Sequence, residues 1–275
     1  MCCCPAHDDR TPSLSVRVGD RSLLFKCFAG CTGLEVMRAI RRLDFDVPVD
    51  NDAAARPPTH SDLAKRERIR TIWQESRAAV GTPVATYLES RGIRHLSPAL
   101  RFHLRTPLGK RPNVSFRPAM IAAIQDDDGV SAIQRTFFDR RGPWLAEDLA
   151  KAKLSLGRPL TGAVRLYRAT RRLGLAEGIE TAESAAILLD IPVWATLGNE
   201  RLARVGIPDF VDDLILLPDN DHGGRLAVKQ ALAAYRRPGR SIRTIWPWRG
   251  LNDWNEVLME ELGLSRPARG MALAA

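Results

Sequence analysis

Leu173-Gly-Leu-Ala-Glu177-Gly178 and, further along, Leu214-Ile-Leu-Leu-Pro-Asp219-Asn-Asp221 are the stretches whose reading decides the fold. Each is a short apolar run closed by acid. A brief apolar run bounded by turn residues reads as a buried strand. Around them the pattern alternates. Thr181 to Leu189 is helical, Pro192 to Thr196 reads as a second strand, Gly224 to Tyr235 as a helix, and Ile242 to Ile245 as a fourth strand. Strands that alternate with helices predict a parallel sheet with helices on its faces. Such sheets bind ligands beyond the carboxyl ends of their strands.

Glu177, Asp219 and Asp221 would then share one crevice. Clustered carboxylates repel one another unless a cation lies between them. Their hard oxygens suit Mg²⁺ (or Mn²⁺), held through one or two carboxylates plus substrate phosphates. A metal so placed stabilises both the attacking and the leaving oxygen of a phosphoryl transfer. Taken singly, each motif reads equally well as solvated loop acids or helix caps. Together, in a strand–helix frame, they are much more specific.

The other end of the chain carries different chemistry. All five cysteines, Cys2, Cys3, Cys4, Cys27 and Cys31, lie within the first 31 residues. An odd count crowded at one end argues for metal rather than a disulfide framework. Cys4-Pro-Ala-His7 and Cys27-Phe-Ala-Gly-Cys31 offer two closely spaced ligand pairs. Ser13 to Val18 alternates as a strand does, Gly19-Asp20 reads as a turn and Leu23 to Cys27 as the returning strand, so a hairpin would bring the pairs together. Zinc takes four such ligands in a tetrahedron. Cys4 is favoured over Cys2 and Cys3 because only it has a histidine at the matching offset. Leu34 to Arg42 looks helical.

Residues 46–60, rich in Asp, Ala and Pro, read as a linker. A helix is expected from Ser61, its candidate N-cap, and a second ends near Arg91-Gly92. Pro118 to Ile124 and Val130 to Phe138 look like strands joined by the turn Asp126-Asp127-Asp128-Gly129. The domains expected are therefore a zinc-binding module over 1–45, the linker, a basic α+β region over 61–172 and an α/β domain over 173–265.

The chain has 275 residues, 45% hydrophobic and 27% charged, with a net charge of +9 and a pI near 9.8. Residues 57–172 hold 22 Lys and Arg against 10 Asp and Glu, a net of +12, which leaves −3 for the remainder. Positive charge gathered in one region favours a polyanionic partner, nucleic acid above all. No segment approaches the roughly 18 apolar residues of a membrane span, and the N-terminus lacks a secretory pattern. A cytoplasmic protein with no membrane partner is expected. No Walker A loop is present, so no helicase motor is encoded in these residues.

Four resemblances sharpen this reading. Cys4-Pro-Ala-His-Asp-Asp-Arg-Thr-Pro-Ser-Leu-Ser-Val, followed by Phe-Lys-Cys27-Phe-Ala-Gly-Cys31, resembles the zinc-binding domain of bacterial and phage primases; the resemblance implies Cys4, His7, Cys27 and Cys31 as Zn²⁺ ligands. Bacterial primases usually separate the second pair by two residues rather than three. The Glu177-Gly178 and Asp219-x-Asp221 motifs resemble the Toprim domain, shared by primases, topoisomerases and some nucleases. That likeness implies that Asp219 and Asp221 hold magnesium and that Glu177 completes the site as ligand or general acid-base. Ala-Glu177-Gly-Ile-Glu180-Thr-Ala, Pro-Asp219-Asn-Asp221-His-Gly-Gly and Leu251-Asn-Asp253-Trp-Asn255 resemble the phage and mobile-element primase branch. Asp253 is either a further acid or the N-cap of a helix, since Glu256 follows in a capping-box pattern. Glu180 either belongs to the site or faces the helix dipole.

Tyr87-Leu-Glu-Ser-Arg91-Gly92-Ile, Arg135-Thr-Phe-Phe and Lys151-Ala-Lys153-Leu-Ser-Leu-Gly157 resemble the basic region that precedes the Toprim domain in those proteins. The likeness makes Arg135, Lys151, Lys153 and Arg158 candidate contacts to nucleoside triphosphate or template. The activity implied is a DNA primase that makes short RNA primers on single-stranded DNA by Mg²⁺-dependent nucleotidyl transfer, in replication of a phage, plasmid or other mobile element, with a separate helicase as partner. A Toprim nuclease and a non-catalytic nucleic-acid-binding accessory protein are the competing readings.

Overall fold

The computed structural model describes residues 1–18, 23–42, 60–109, 112–248 and 250–264. Contacts divide the chain into two compact units, Met1–Arg56 and Pro57–Ala275. The expected turn at Gly19-Asp20 and nearly all of the expected linker lie outside the described residues.

The first unit is an antiparallel hairpin, β1 (Leu14–Val18) and β2 (Leu23–Cys27), followed by helix α1 (Gly33–Arg42). Cys2 exchanges two backbone hydrogen bonds with Leu14, each 2.9 Å, which lays the N-terminus along the hairpin. Thr32 caps α1 reciprocally with Glu35: the Thr32 N–H donates to Oε2 of Glu35 at 2.7 Å and the Glu35 N–H to Oγ1 of Thr32 at 3.3 Å. Among the described residues the buried core is Cys4, Leu14, Cys27 and Val36, with Phe25 and Ile40 packed against it. So little apolar surface stabilises a fold poorly, and a bound metal would supply much of what is missing.

The second unit joins two sheets. Helix α2 (His60–Glu75) begins one residue before Ser61, so Ser61 lies inside the helix rather than at its cap. A five-stranded antiparallel sheet runs β3 (Arg77–Ala78), β4 (Leu100–Leu108), β5 (Ser115–Asp126), β6 (Gly129–Phe137) and β7 (Lys153–Gly157), in that spatial order. Helix α3 (Pro83–Glu89) precedes β4, with Thr82 as N-cap and Pro83 pre-set in its first turn. The second sheet is parallel: β8 (Arg172–Ala176), β9 (Val193–Ala195), β10 (Asp213–Leu217) and β11 (Ser241–Thr244), in spatial order β11-β10-β8-β9. Helices α4 (Ile179–Leu189) and α5 (His222–Tyr235) follow β8 and β10, and α6 (Trp254–Glu261) closes the described chain. The mixed α/β class, the α+β middle region and the flanked parallel sheet agree with the sequence reading.

Packing fixes which face of the antiparallel sheet meets the parallel one. Strand residues alternate between faces. Phe102, Met120, Ala122 and Ile124 join a core with Ala176, Ile179, Ala182 and Trp254. Ile121, Ile133 and Phe137 point the other way and are covered by Ile69 and Ile72 of α2. Both faces of the central strands are thus buried.

The carboxylate cleft and its relatives

The chain leaves β8 toward β9 on one side, and later places β10 on the other side of β8. The crevice between β8 and β10 is therefore a topological switch point, where ligands of open α/β sheets bind. Leu217 pairs with Ala176 at the last register position of the two strands. Glu177 follows Ala176 directly. Pro218, which has no N–H to extend the ladder, separates Leu217 from Asp219. Two acids thus leave adjacent central strands at the same end.

They open into a cleft of about 330 Å³ lined by Arg91, Gln134, Lys153, Glu177, Glu180 and Asp219, together with Asp253 and Asn255. Asp219 is half-buried, and its Oδ1 is a buried oxygen with no hydrogen-bond partner among the described residues. Burial, then the charges of Glu177, Asp253, Asp221 and Glu256, push the Asp219 carboxyl up to about 7. Burial, then Asp221 and Glu200, raise Glu177 too, while Lys153 opposes the rise. Carboxylates crowded to this degree, one with an orphaned oxygen, fit a hard divalent cation. Among the described residues they do not converge as tightly as the cysteine cluster does, whose ligand atoms all lie within 4.8 Å of one another. An open arrangement suits Mg²⁺, which keeps waters and phosphates among its ligands.

Asp221 is exposed and its Oδ1 accepts from the Gly224 N–H at 2.6 Å as the N-cap of α5. The Asn220 N–H donates to the Asn252 carbonyl at 2.7 Å, which ties this loop to the segment before α6. Of the two roles read from its sequence, Asp253 takes that of N-cap, and it also lines the cleft. Its Oδ1 accepts from the Glu256 N–H at 2.8 Å. Glu256 reaches back to the Asn252 N–H at 2.6 Å, one residue beyond the N-cap N–H that a capping box would take.

The basic candidates separate. Lys153 lines the cleft and donates to both oxygens of Glu180 at 2.8 Å. Lys151 and Arg158, both exposed, flank β7 without lining it. Arg135 faces away, toward α2: its guanidinium donates to the Pro107 carbonyl at 2.9 Å and its charge is opposed by Arg68. Burial lowers it to about 10. The cleft-side residue of that strand is Gln134.

Glu180, whose role the sequence left open, and Arg91 and Asn255, to which it gave none, complete the wall. Glu180 is buried and also accepts from the Tyr87 hydroxyl at 2.6 Å. Arg91 donates to Oδ1 of Asn255 at 3.3 Å, and Asn255 donates to the Arg91 carbonyl at 2.9 Å and to Ser184 Oγ at 3.0 Å. Both lie inside the quoted resemblance motifs, which was the only signal available.

In the first unit, Cys4, His7, Cys27 and Cys31 gather their ligand atoms, with His7 Nδ1 3.2 Å from Cys31 Sγ. Three sulfurs and one imidazole nitrogen match a tetrahedral zinc set. Burial works against ionisation of Cys27, but hydrogen bonds from Cys31, Ser13 and Ala29 bring it down to about 6. A thiol that ionises readily is a better metal ligand. Asp9 sits behind the ligands. Its Oδ2 accepts from the Cys4 N–H at 2.6 Å and from the Ser13 hydroxyl at 2.6 Å, and its Oδ1 lies 3.7 Å from His7 Nε2.

Residues 172–263 match the Toprim domain family, and residues 63–166 match a domain of unknown function, DUF7146. Comparison with curated proteins finds no match. Among solved structures, the fold is similar to the Aquifex aeolicus primase, comprising zinc-binding and RNA polymerase domains: 16% identity, 94% of this chain and 75% of that one, TM-score 0.52. It is also similar to the DnaG catalytic core (18% identity, 72% and 75% covered, TM-score 0.50) and to the DnaG primase catalytic domain bound to single-stranded DNA (16% identity, 73% and 79% covered, TM-score 0.50). Residues 172–263 thus carry a Toprim-domain match, and the chain shares the fold of those primase structures and gathers a zinc-type Cys₃His cluster.

Proposed function

We propose that this protein is a DNA primase that joins ribonucleotides into short primers on single-stranded DNA, in replication of a phage, plasmid or other mobile element. The observation that carries the reading is the placement of Glu177 and Asp219 at the carboxyl ends of adjacent central strands, with a buried carboxylate oxygen left unpaired. Glu177, Asp219 and Asp221 would hold Mg²⁺, which when bound would supply the Lewis acidity that offsets the negative charge of nucleotidyl transfer and of the departing pyrophosphate. The chain's own residues do the rest. Lys153 presents an ammonium on the cleft wall, and Arg91 a guanidinium, both suited to phosphate oxygens. Glu177, its proton affinity raised by burial, is suited to accept the proton of the attacking hydroxyl. Lys151 and Arg158 flank the cleft strand, where a template backbone would add charge pairing.

The Cys4–His7–Cys27–Cys31 set would bind Zn²⁺, and the module so stabilised would help engage single-stranded template. Nucleoside triphosphates and a separate helicase are the further partners this reading implies.

The test is product analysis. Zinc-loaded protein, single-stranded DNA, labelled nucleoside triphosphates and Mg²⁺ should yield short labelled oligomers complementary to the template. A cut template with no oligomers would replace the primase reading with a nuclease, and binding without either product would leave a nucleic-acid-binding accessory protein.

A further inference from the structure

Glu180 is 7% exposed, in the first turn of α4. Three groups meet at its carboxylate. Lys153 Nζ donates to Oε1 and to Oε2, each at 2.8 Å, and the Tyr87 hydroxyl donates to Oε1 at 2.6 Å. Tyr87 comes from α3, Lys153 from β7 and Glu180 from α4, so one carboxylate joins the antiparallel and parallel halves of the unit. Burial works against its charge, but the ammonium and the phenol hold it down to about 2.

An ammonium has three N–H donors, and Glu180 takes two of them. Lys153 nevertheless belongs to the same cleft as Glu177, Asp219 and Asp253, and its charge is felt at Glu177. It therefore stands between one carboxylate that binds it and two, Glu177 and Asp219, whose charge is disfavoured by burial and by neighbouring acids. Its flexible four-carbon stem gives it reach. Were Glu180 uncharged, Coulomb attraction would draw the ammonium onto the acids of the cleft. It would then occupy the place of a cation.

We propose that Glu180 is a positioning residue: it docks the Lys153 ammonium on the cleft wall and so keeps Glu177 and Asp219 unpaired and available to a divalent cation. The inference rests on reading those two acids as cation ligands. Tyr87 fixes the carboxylate from behind, and the third N–H of Lys153 stays directed to whatever anion accompanies the cation.

Mn²⁺ binding to the full chain, followed by water-proton relaxation, separates this role from a merely structural one. Glu180→Gln keeps the shape and an acceptor for Tyr87 but removes the charge. It should weaken Mn²⁺ about tenfold. Removing the ammonium as well, in Glu180→Gln with Lys153→Met, should restore binding to the wild-type level, because nothing is left to fall onto the acids. Wild-type affinity in Glu180→Gln would overturn the proposal, and so would a double variant as weak as the single one. Should Glu180→Gln fail to fold, Lys153→Met alone decides: it must bind Mn²⁺ at least as tightly as wild type, and a tenfold loss would overturn the proposal. Asp219→Ala keeps the two readings apart. If it binds Mn²⁺ as wild type does, the cation site itself is wrong, and this inference falls with it.

Discussion

Gly224 approaches the backbone of Asp219 so closely that a Cβ on it would lie 2.1 Å from the Asp219 carbonyl oxygen. The obstacle is main chain and cannot rotate aside. Gly224 also gives its N–H to Asp221 at 2.6 Å, so one glycine shapes the turn that presents both aspartates. Gly224→Ala should lower stability by about 1–3 kcal/mol and weaken Mn²⁺ binding. Gly223→Ala, where the nearest obstacle is the side-chain Nδ2 of Asn199, should cost less on both counts. Thermal denaturation and Mn²⁺ titration of the pair check this; equal effects would mean that the turn has slack.

Asp219 sets a pH dependence. Its folded carboxyl is raised to about 7, against an ordinary value of 3.8. Between those values the metal-free folded chain holds a proton that the unfolded chain has lost, so this group favours folding at low pH and loses that contribution as pH rises through about 7. The metal-free protein should therefore melt at lower temperature at pH 8 than at pH 6, and Asp219→Asn should flatten that difference. Divalent cation competes with the same proton, so binding should strengthen over the same interval. A melting temperature in Asp219→Asn that still falls between pH 6 and 8 as in wild type would assign the dependence elsewhere.

The zinc module makes a separate prediction. Asp9 holds the Cys4 N–H and the Ser13 hydroxyl and faces His7 Nε2, while Nδ1 faces the sulfurs. Carboxylates that orient a metal-bound histidine typically contribute 10–100-fold in metal affinity. Asp9→Ala should lose about that much in a chelator competition for Zn²⁺, and Cys27→Ser, which removes a ligand, should lose more. Unchanged affinity in Asp9→Ala would reduce the carboxylate to a hairpin anchor.

Much of the architecture was legible because its determinants are local. Leu173 to Ala176 and Leu214 to Leu217 are apolar, short and bounded by Gly, Pro and acid, so strand ends and their acids could be placed within a residue. Cys4, His7, Cys27 and Cys31 were legible because ligand spacing is itself the signal. What could not be read depends on how sheets pack. Tyr87 and Glu180 are 93 residues apart, and Arg91 and Asn255 are 164 apart. Arg135 shows the same limit on one strand. Gln134 and Arg135 point to opposite faces, yet β6 is covered on both sides. Without an apolar–polar alternation to follow, the sequence could not say which of the two enters the cleft.

The central claim is that the Glu177–Asp219 cleft, together with Asp221, joins nucleotides under the direction of a template. The most direct measurement is pyrophosphate release by the zinc-loaded protein with Mg²⁺ and nucleoside triphosphates, with and without single-stranded DNA, for wild type and for Asp219→Ala with Asp221→Ala. The account predicts release that requires the DNA and falls at least 100-fold, about 2.7 kcal/mol of transition-state stabilisation, in the double variant. Release that persists in that variant, or that ignores the template, would contradict it.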